Sequence, residues 1–412
     1  MVRKKLVAAT VISALLFGMT FTSIPATTAK ASINDGWVQV WADEFNSANG
    51  SAVDTSKWSF DTGAGGWGNN ELENYTNRTQ NAYMQDGSLI LQANKENYNG
   101  SQYTSARIIT KNKFSVKYGR VEMRAKLPYG QGMWPAFWML GSNIDNVDVG
   151  WPKCGEIDIM ENLGKEPNIV HGTIHGPGYS GSAGLGAAYT SSTALSDGYH
   201  TYAVEYEPSS IKWYVDGVLY ETRTPYDVNG NTWVFNQPFF ILLNLAVGGG
   251  WPGNPDSTTV FPQKYAIDYV RVYQRANGYN MVSLKSAYNG MYVTADNCGL
   301  SPLIASRTSA GLWEQFEQVN LGNGVIALRS LANGKYVCAD NYGNNPLIAN
   351  RDTIDAWEEF QVVTMPDGKK ALKSLANNKY VCADNYGNNP LIANRDAVGG
   401  NWEEFDIVPQ GY

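Results

Sequence analysis

Cysteine, cations and long apolar runs are all scarce in this chain of 412 residues, and each scarcity closes off a class of function. Four cysteines, Cys154, Cys298, Cys338 and Cys382, are scattered without the spacing of a metal site. They allow three disulfide pairings, among which sequence does not choose. Cys154 is expected to stay unpaired because the other three lie in the second half, and the carboxylates beside it make better candidates for chemistry than its thiol. Lys and Arg total 31 against 38 Asp and Glu, a formal charge of −7 with no basic cluster. That argues against nucleic acid and anionic membranes as partners. Beyond about Phe21 no stretch is apolar enough to span a bilayer, and helical periodicity is almost missing from Trp37 onward.

Before that point stand Arg3-Lys4-Lys5, an apolar run from Leu6 to about Phe21, and Ala29-Lys30-Ala31 ahead of Ser32. This is the layout of a secretory signal over residues 1–31, so the chain is expected outside the cell. Cleavage would remove four cations and no acid, taking the formal charge from −7 to −11. The remaining length exceeds what one core usually supports, and two domains are expected, at 32–276 and 279–412.

Aromatic residues are plentiful, with 13 Trp and 25 Tyr; flat rings exposed in a cleft suit neutral ligands with apolar patches, such as sugars. The first domain reads as many short strands with turn punctuation. Residues 120–126 alternate cleanly, and residues 211–220 form a hairpin on Asp216-Gly217. The spacing predicts an antiparallel two-sheet sandwich of jelly-roll topology. In Met133-Trp134-Pro135-Ala136-Phe137-Trp138-Met139-Leu140, period two sets Trp134 and Trp138 together, opposite Met133, Phe137 and Met139. In residues 170–175, His171, Thr173 and His175 oppose Val170 and Ile174. Of these histidines His175 is assigned to function and His171 to structure. Trp67 and Trp251 sit in glycine-rich loops, as lids over the core or as sugar platforms.

The stretch that organises the domain is Gly155-Glu156-Ile157-Asp158-Ile159-Met160-Glu161-Asn162. As a strand it puts Glu156 and Asp158 on one face and Ile157 and Ile159 in a core. Regular alternation would place Met160 beside the acids, so one extra residue, a β-bulge, is needed to bring Glu161 round to them. Two glutamates on one surface with a shorter acid between them are the equipment of a glycosidase. A solvated acidic face, or a cluster holding a hard cation, is the alternative from these residues alone.

Four segments in order decide between these: the one just quoted, Gly66-Trp67-Gly68-Asn69-Asn70-Glu71-Leu72, Gly132 through Leu140, and Gly248-Gly249-Gly250-Trp251-Pro252-Gly253. On them, residues from about 36 to 274 resemble glycoside hydrolase family 16, most closely its laminarinase-type endo-1,3-β-glucanases. The resemblance implies an all-β jelly-roll with a concave sheet lining an open cleft, and a retaining endo-hydrolase of β-1,3-glucans that needs no cofactor for catalysis. It implies Glu156 as nucleophile, Glu161 as acid/base and Asp158 as the residue orienting the nucleophile. Trp67, Asn70, Arg107, Trp134, Trp138, His175 and Trp251 would contact sugar. Met160, the extra residue, favours 1,3-glucan specificity, though agar- and galactan-acting relatives carry it too. A structural calcium on the convex side is also implied, at Glu44, Gly87 and Asp268, with ordinary salt bridging as the alternative. The protein is expected to act as a monomer.

Past residue 279 the sequence repeats. Tyr292, Tyr336 and Tyr380 are spaced 44 and 44, and Trp313, Trp357 and Trp402 are spaced 44 and 45. Three such repeats imply a pseudo-threefold barrel. Residues 331–352 and 375–396 differ only at Gly334 against Asn378. This part is similar to β-trefoils of the ricin-lectin and fascin kind, but carries Trp313-Glu314-Gln315-Phe316, Trp357-Glu358-Glu359-Phe360 and Trp402-Glu403-Glu404-Phe405 where sugar-binding trefoils carry Gln-x-Trp. Asp340, Asn341 and Tyr342, with Asp384, Asn385 and Tyr386, are its candidate sugar contacts. The competing readings are a hydrolase of β-1,3-1,4-glucan or galactan, an inactive two-domain lectin, and a trefoil serving as spacer or adhesion unit.

Overall fold

The computed structural model describes residues 32–33 and 36–411, and the expected leader at 1–31 lies outside them. No helix among the described residues is long and apolar enough to cross a membrane. The sheet that carries the site has seven antiparallel strands: β1 (Ser59–Asp61), β2 (Arg107–Ile109), β3 (Met133–Gly141), β4 (Glu156–Glu161), β5 (Ile169–His175), β6 (Leu185–Thr190) and β7 (Phe239–Val247). Their spatial order is β6-β5-β4-β3-β7-β2-β1, so chain neighbours such as β6 and β7 are far apart in the sheet, as jelly-roll crossovers require.

A second sheet lies behind it and includes Gly119–Lys126, His200–Glu207, Ser210–Val215, Val218–Arg223 and Gln263–Arg275. Alternation along each strand supplies the core between the two. Met133, Phe137, Met139, Ile157, Val170 and Ile174 from the first sheet join Val121, Met123, Tyr202, Val204, Trp213 and Val270 from the second, all fully buried. Each such side chain contributes about 1.5–3 kcal/mol by leaving water. The expected hairpin is present, with Asp216 and Gly217 at φ 49° and 78°, the left-handed pair that a two-residue turn needs.

From Met281 onward the chain forms a separate twelve-stranded sheet with its own core. Met281–Ser286 pairs with Phe405–Pro409, closing first strand on last. The pseudo-threefold relation is visible in three hydrogen bonds that form a ring: Leu303 N–H to Leu347, Leu347 to Leu391 and Leu391 to Leu303, each at 2.8 Å. The departures from the lectin motif also have a structural use. Glu314, Glu358 and Glu403 are buried, and their carboxylates accept backbone N–H bonds from Gly311, Asp355 and Gly399 at 2.7, 2.9 and 3.0 Å.

The two cores meet at a charged seam. Glu207 of the sandwich is buried, 3.0 Å from Arg275, 3.8 Å from Lys212 and 3.6 Å from Arg329 of the second repeat. Arg329 also lies 3.6 Å from Glu317 and donates to Ser210 Oγ at 3.2 Å. Around this network Tyr279, Met281 and Leu331 pack into the sandwich core.

Candidate active site

The bulge in β4 is present and sets the site. Against β5, Asp158 pairs with Thr173 and Glu161 with His171, so three steps on β4 oppose two on β5. Against β3, Asp158 pairs with Trp138 and Met160 with Phe137. The extra residue turns both Ile159 and Met160 into the core, where they are fully buried, and returns Glu161 to the face of Glu156 and Asp158. An inserted residue leaves backbone groups without ladder partners. Here Trp213 reaches across from the second sheet and donates its indole N–H to the Asp158 carbonyl at 2.8 Å. Gly172 on β5 makes room for that ring, since a Cβ there would sit 2.6 Å from Trp213 and 2.5 Å from the Tyr220 hydroxyl.

Each terminal glutamate is held by an indole. Trp151 donates to Glu156 Oε2 at 2.7 Å and Trp134 to Glu161 Oε1 at 3.0 Å. Between them Asp158 is buried and hydrogen-bonded to Glu156, and His175 Nε2 lies 3.1 Å from Asp158 Oδ2 and 4.0 Å from Glu156 Oε1. Burial and mutual repulsion keep these carboxyls protonated far above the ordinary range. Glu156 is pushed up to about 8, by burial first and the Asp158 charge second. Burial alone takes Asp158 to about 7, against the Glu156 hydrogen bond. Glu161 goes well above its ordinary value through burial and the charges of Asp158 and Glu156. Trp134, read as a sugar platform, is thus also a hydrogen-bond partner of Glu161.

The remaining sugar-contact candidates line the same surface on either side. Trp251 is 42% exposed and meets Trp134 edge to face, with centroids 5.6 Å apart, and His171 at 5.0 Å. Arg107 lies between the rings of Trp67 and Trp138, 4.9 and 4.8 Å from their centroids, and is anchored by Asp61 at 3.0 Å. Asn70 is exposed, with φ 61°, in the same turn as Trp67. The two glycine-rich loops lie against each other through Gly250 N–H and the Asn69 carbonyl, 2.8 Å apart. Sequence reasoning missed the relay below them: Trp138 donates to Asn244, Asn244 to the Tyr75 hydroxyl, and that hydroxyl to Glu71. It also missed Trp151, which lies outside any strand and so shows no period.

Salt bridges occupy the carboxylates of the expected calcium position. Both oxygens of Glu44 take bonds from Arg271, at 2.8 and 2.7 Å, and Asp268 is 2.6 Å from Arg124. These two carboxylates are thus engaged by guanidinium groups, the salt-bridging alternative. Among the described residues, Glu156, Asp158 and His175 are the acids and histidine whose donor atoms converge within 4.8 Å, and they belong to the site itself. All four cysteines are free. In the second domain Asp340 and Asp384 are each paired with an arginine, Arg351 and Arg395, while Tyr342 and Tyr386 stay 64% and 57% exposed.

Residues 69–271 match the family described as Glycosyl hydrolases family 16. The chain is 44% identical over 247 residues to a beta-glucanase of Rhodothermus marinus, covering 58% of this chain and 85% of that one. It is 42% identical over 264 residues to glucan endo-1,3-beta-glucosidase A1 of Niallia circulans, of which it spans 37%. Among solved structures, the laminarinase catalytic domain from Thermotoga maritima MSB8 shares 48% identity at a TM-score of 0.55, over 58% of this chain and 98% of that one. With the bulged acidic strand at the centre of the matched region, the chain belongs to glycosyl hydrolases family 16.

Proposed function

We propose that the protein is a retaining endo-hydrolase of β-1,3-glucans, with Glu156 as nucleophile, Glu161 as acid/base and Asp158 orienting the nucleophile. The observation that carries this reading is the bulge, which places two glutamates on one cleft face with an acid between them. Burial and the charges of Asp158 and Glu156 favour the protonated form of Glu161, which can give its proton to the departing sugar oxygen. Attack needs Glu156 in its charged form, which the Trp151 N–H and His175 favour against burial and the Asp158 charge. Glu156 then attacks the anomeric carbon as the bond to the leaving sugar breaks. Water, deprotonated by Glu161, releases the glycosyl-enzyme with the original β configuration. Trp67, Asn70, Arg107, Trp138, His175 and Trp251 give the cleft its sugar contacts.

The substrate side of the test is a product profile. Laminarin should yield a ladder of oligosaccharides whose new reducing ends appear first as the β anomer, with slower release from lichenan and none from agarose. Products of inverted configuration, or a preference for agarose, would overturn the reading.

The second domain supplies a polymer-binding surface in this proposal. Its support is the pair of exposed tyrosines beside Trp357 and Trp402, with centroids 5.1 and 5.7 Å apart. Because Asp340 and Asp384 are engaged by arginines, the rings rather than the acids carry the contact. Tyr342→Ala with Tyr386→Ala should keep the rate on soluble laminarin and lose retention on insoluble β-1,3-glucan; unchanged retention would make the domain a spacer. The basic start and apolar run before residue 22 support export of the chain, where it would act as a monomer without nucleic acid or membrane partners.

A further inference from the structure

Trp151 stands five residues ahead of the nucleophile in the short segment Gly150–Lys153, and nearly half of its surface is open to solvent. Packing does not account for its placement, since neither it nor its neighbours in that segment are buried. Its one polar atom is spent on Glu156 Oε2, at 2.7 Å. The other oxygen, Oε1, has His175 Nε2 at 4.0 Å.

We propose that Trp151 is a positioning residue for the nucleophile: its indole N–H fixes the rotation of the Glu156 carboxylate, so that Oε1 attacks and Oε2 becomes the ester carbonyl. This inference rests on Glu156 being the nucleophile. In the first step the Oε1–C1 bond forms, the C1–oxygen bond to the leaving sugar breaks, and the proton of Glu161 goes with that oxygen. In the second step water adds to C1, its proton passes to Glu161, and the Oε1–C1 bond breaks with the electron pair returning to Glu156. Negative charge on the carboxylate is larger before the first step and after the second than in the ester between them. A donor on Oε2 therefore assists the departure of Glu156 from the ester as well as its alignment.

The groups facing Glu156 are Asp158 and Glu161 on its own strand, His175 on β5 and Cys154 just upstream. Trp151 is the neutral donor in this group. Removing it raises the affinity of Glu156 for a proton, and the acid limb of the rate profile must move to higher pH.

The test compares Trp151→Phe, which keeps an aromatic wall and deletes the N–H, with replacement of the indole by its benzothiophene isostere, which preserves shape if the smaller ring perturbs the loop. Both should lower kcat by about 10- to 100-fold, the worth of a hydrogen bond to a charged group, with KM for laminarin oligosaccharides little changed. Both should shift the acid limb of kcat/KM to higher pH. With an aryl β-laminaribioside bearing an acidic phenol, a pre-steady-state burst of phenol should grow as release of the ester slows. An unmoved acid limb with a raised KM would reduce Trp151 to a wall of the cleft and overturn the proposal, as would unchanged kinetics. Glu156→Ala on the same substrate separates the two readings, since activity surviving there would refute the nucleophile assignment itself.

Discussion

Glu156 and Glu207 are both screened from water within the same sandwich, and their surroundings drive them in opposite directions. Around Glu156 stand Asp158 and Glu161, and the groups that temper the charge are one histidine and one indole N–H. Its carboxyl is pushed up to about 8. Around Glu207 stand Arg275, Arg329 and Lys212, and despite comparable burial its carboxyl falls below the ordinary value. Burial supplies the same penalty in both places, so the counter-charges decide. Where they are withheld, the carboxyl holds its proton to higher pH and its ionisation costs the fold stability. Where they are supplied, the acid becomes a joint between two domains.

The largest effects should come from breaking the first cluster. Glu156→Ala removes the covalent route and should lower laminarin hydrolysis by roughly 10⁴-fold or more. Glu161→Ala should cost about 10²- to 10⁴-fold on laminarin, where the leaving sugar needs a proton. On an aryl glycoside with an acidic phenol it should still form the glycosyl-enzyme. Added azide should then speed its turnover and give the β-glycosyl azide, whereas with Glu156→Ala azide should give the α product. Equal loss on both substrates without an azide response would refute the division of roles.

Breaking the second cluster should leave chemistry intact and weaken the fold. Glu207→Gln removes the charge that Arg275 and Arg329 share, a loss of about 1.5–3 kcal/mol, visible as a lower unfolding temperature with kcat unchanged. An unaltered melting curve would show that the seam carries no stability.

The comparison sharpens when stability is followed against pH. Glu156 has a folded value above its unfolded one, so its stabilising contribution is complete below the unfolded value and is lost as pH rises toward about 8. Glu156→Gln should therefore raise the unfolding temperature at pH 8 and leave it nearly unchanged at pH 4. Glu207 has the reverse shift, and its contribution is present above the unfolded value and lost as pH falls through the folded one. Glu207→Gln should hence destabilise at neutral pH and progressively less in acid. Curves of the same sign for the two variants would contradict the electrostatic account.

What sequence could show follows the same division. Glu156, Asp158 and Glu161 were legible because alternation of apolar and acidic residues is a local property, and even the bulge followed from the phase error at Met160. The jelly-roll and the threefold repeat were legible from period and spacing. Trp151, Asn244 and Tyr75 were not, since each acts through a partner set by tertiary contact. The arginine partners of Glu44 and Asp268 were hidden for a related reason: they lie 227 and 144 residues away. Glu207 and Arg329 sit in strands that read as ordinary alternation, and nothing local marks them as a joint.

The smallest predicted effect concerns the single difference between residues 331–352 and 375–396. Gly334 and Asn378 both have left-handed backbones, at φ 72° and 62°, and Asn tolerates that region well, so conformation alone does not demand glycine in the second repeat. The environment does: a Cβ on Gly334 would come within 3.1 Å of the Ser209 carbonyl, where the second repeat docks on the sandwich. The Gly334 carbonyl also accepts from Arg329, the residue that reaches Glu207. Gly334→Asn should accordingly push the turn away from Ser209 and cost about 1 kcal/mol, whereas Asn378→Gly, in the repeat without that neighbour, should cost only a few tenths. Thermal unfolding of both variants, with and without Glu207→Gln, measures the coupling. If the seam is the cause, the penalty of Gly334→Asn should shrink once Glu207 no longer draws Arg329 inward, and equal penalties in both backgrounds would detach the glycine from the joint.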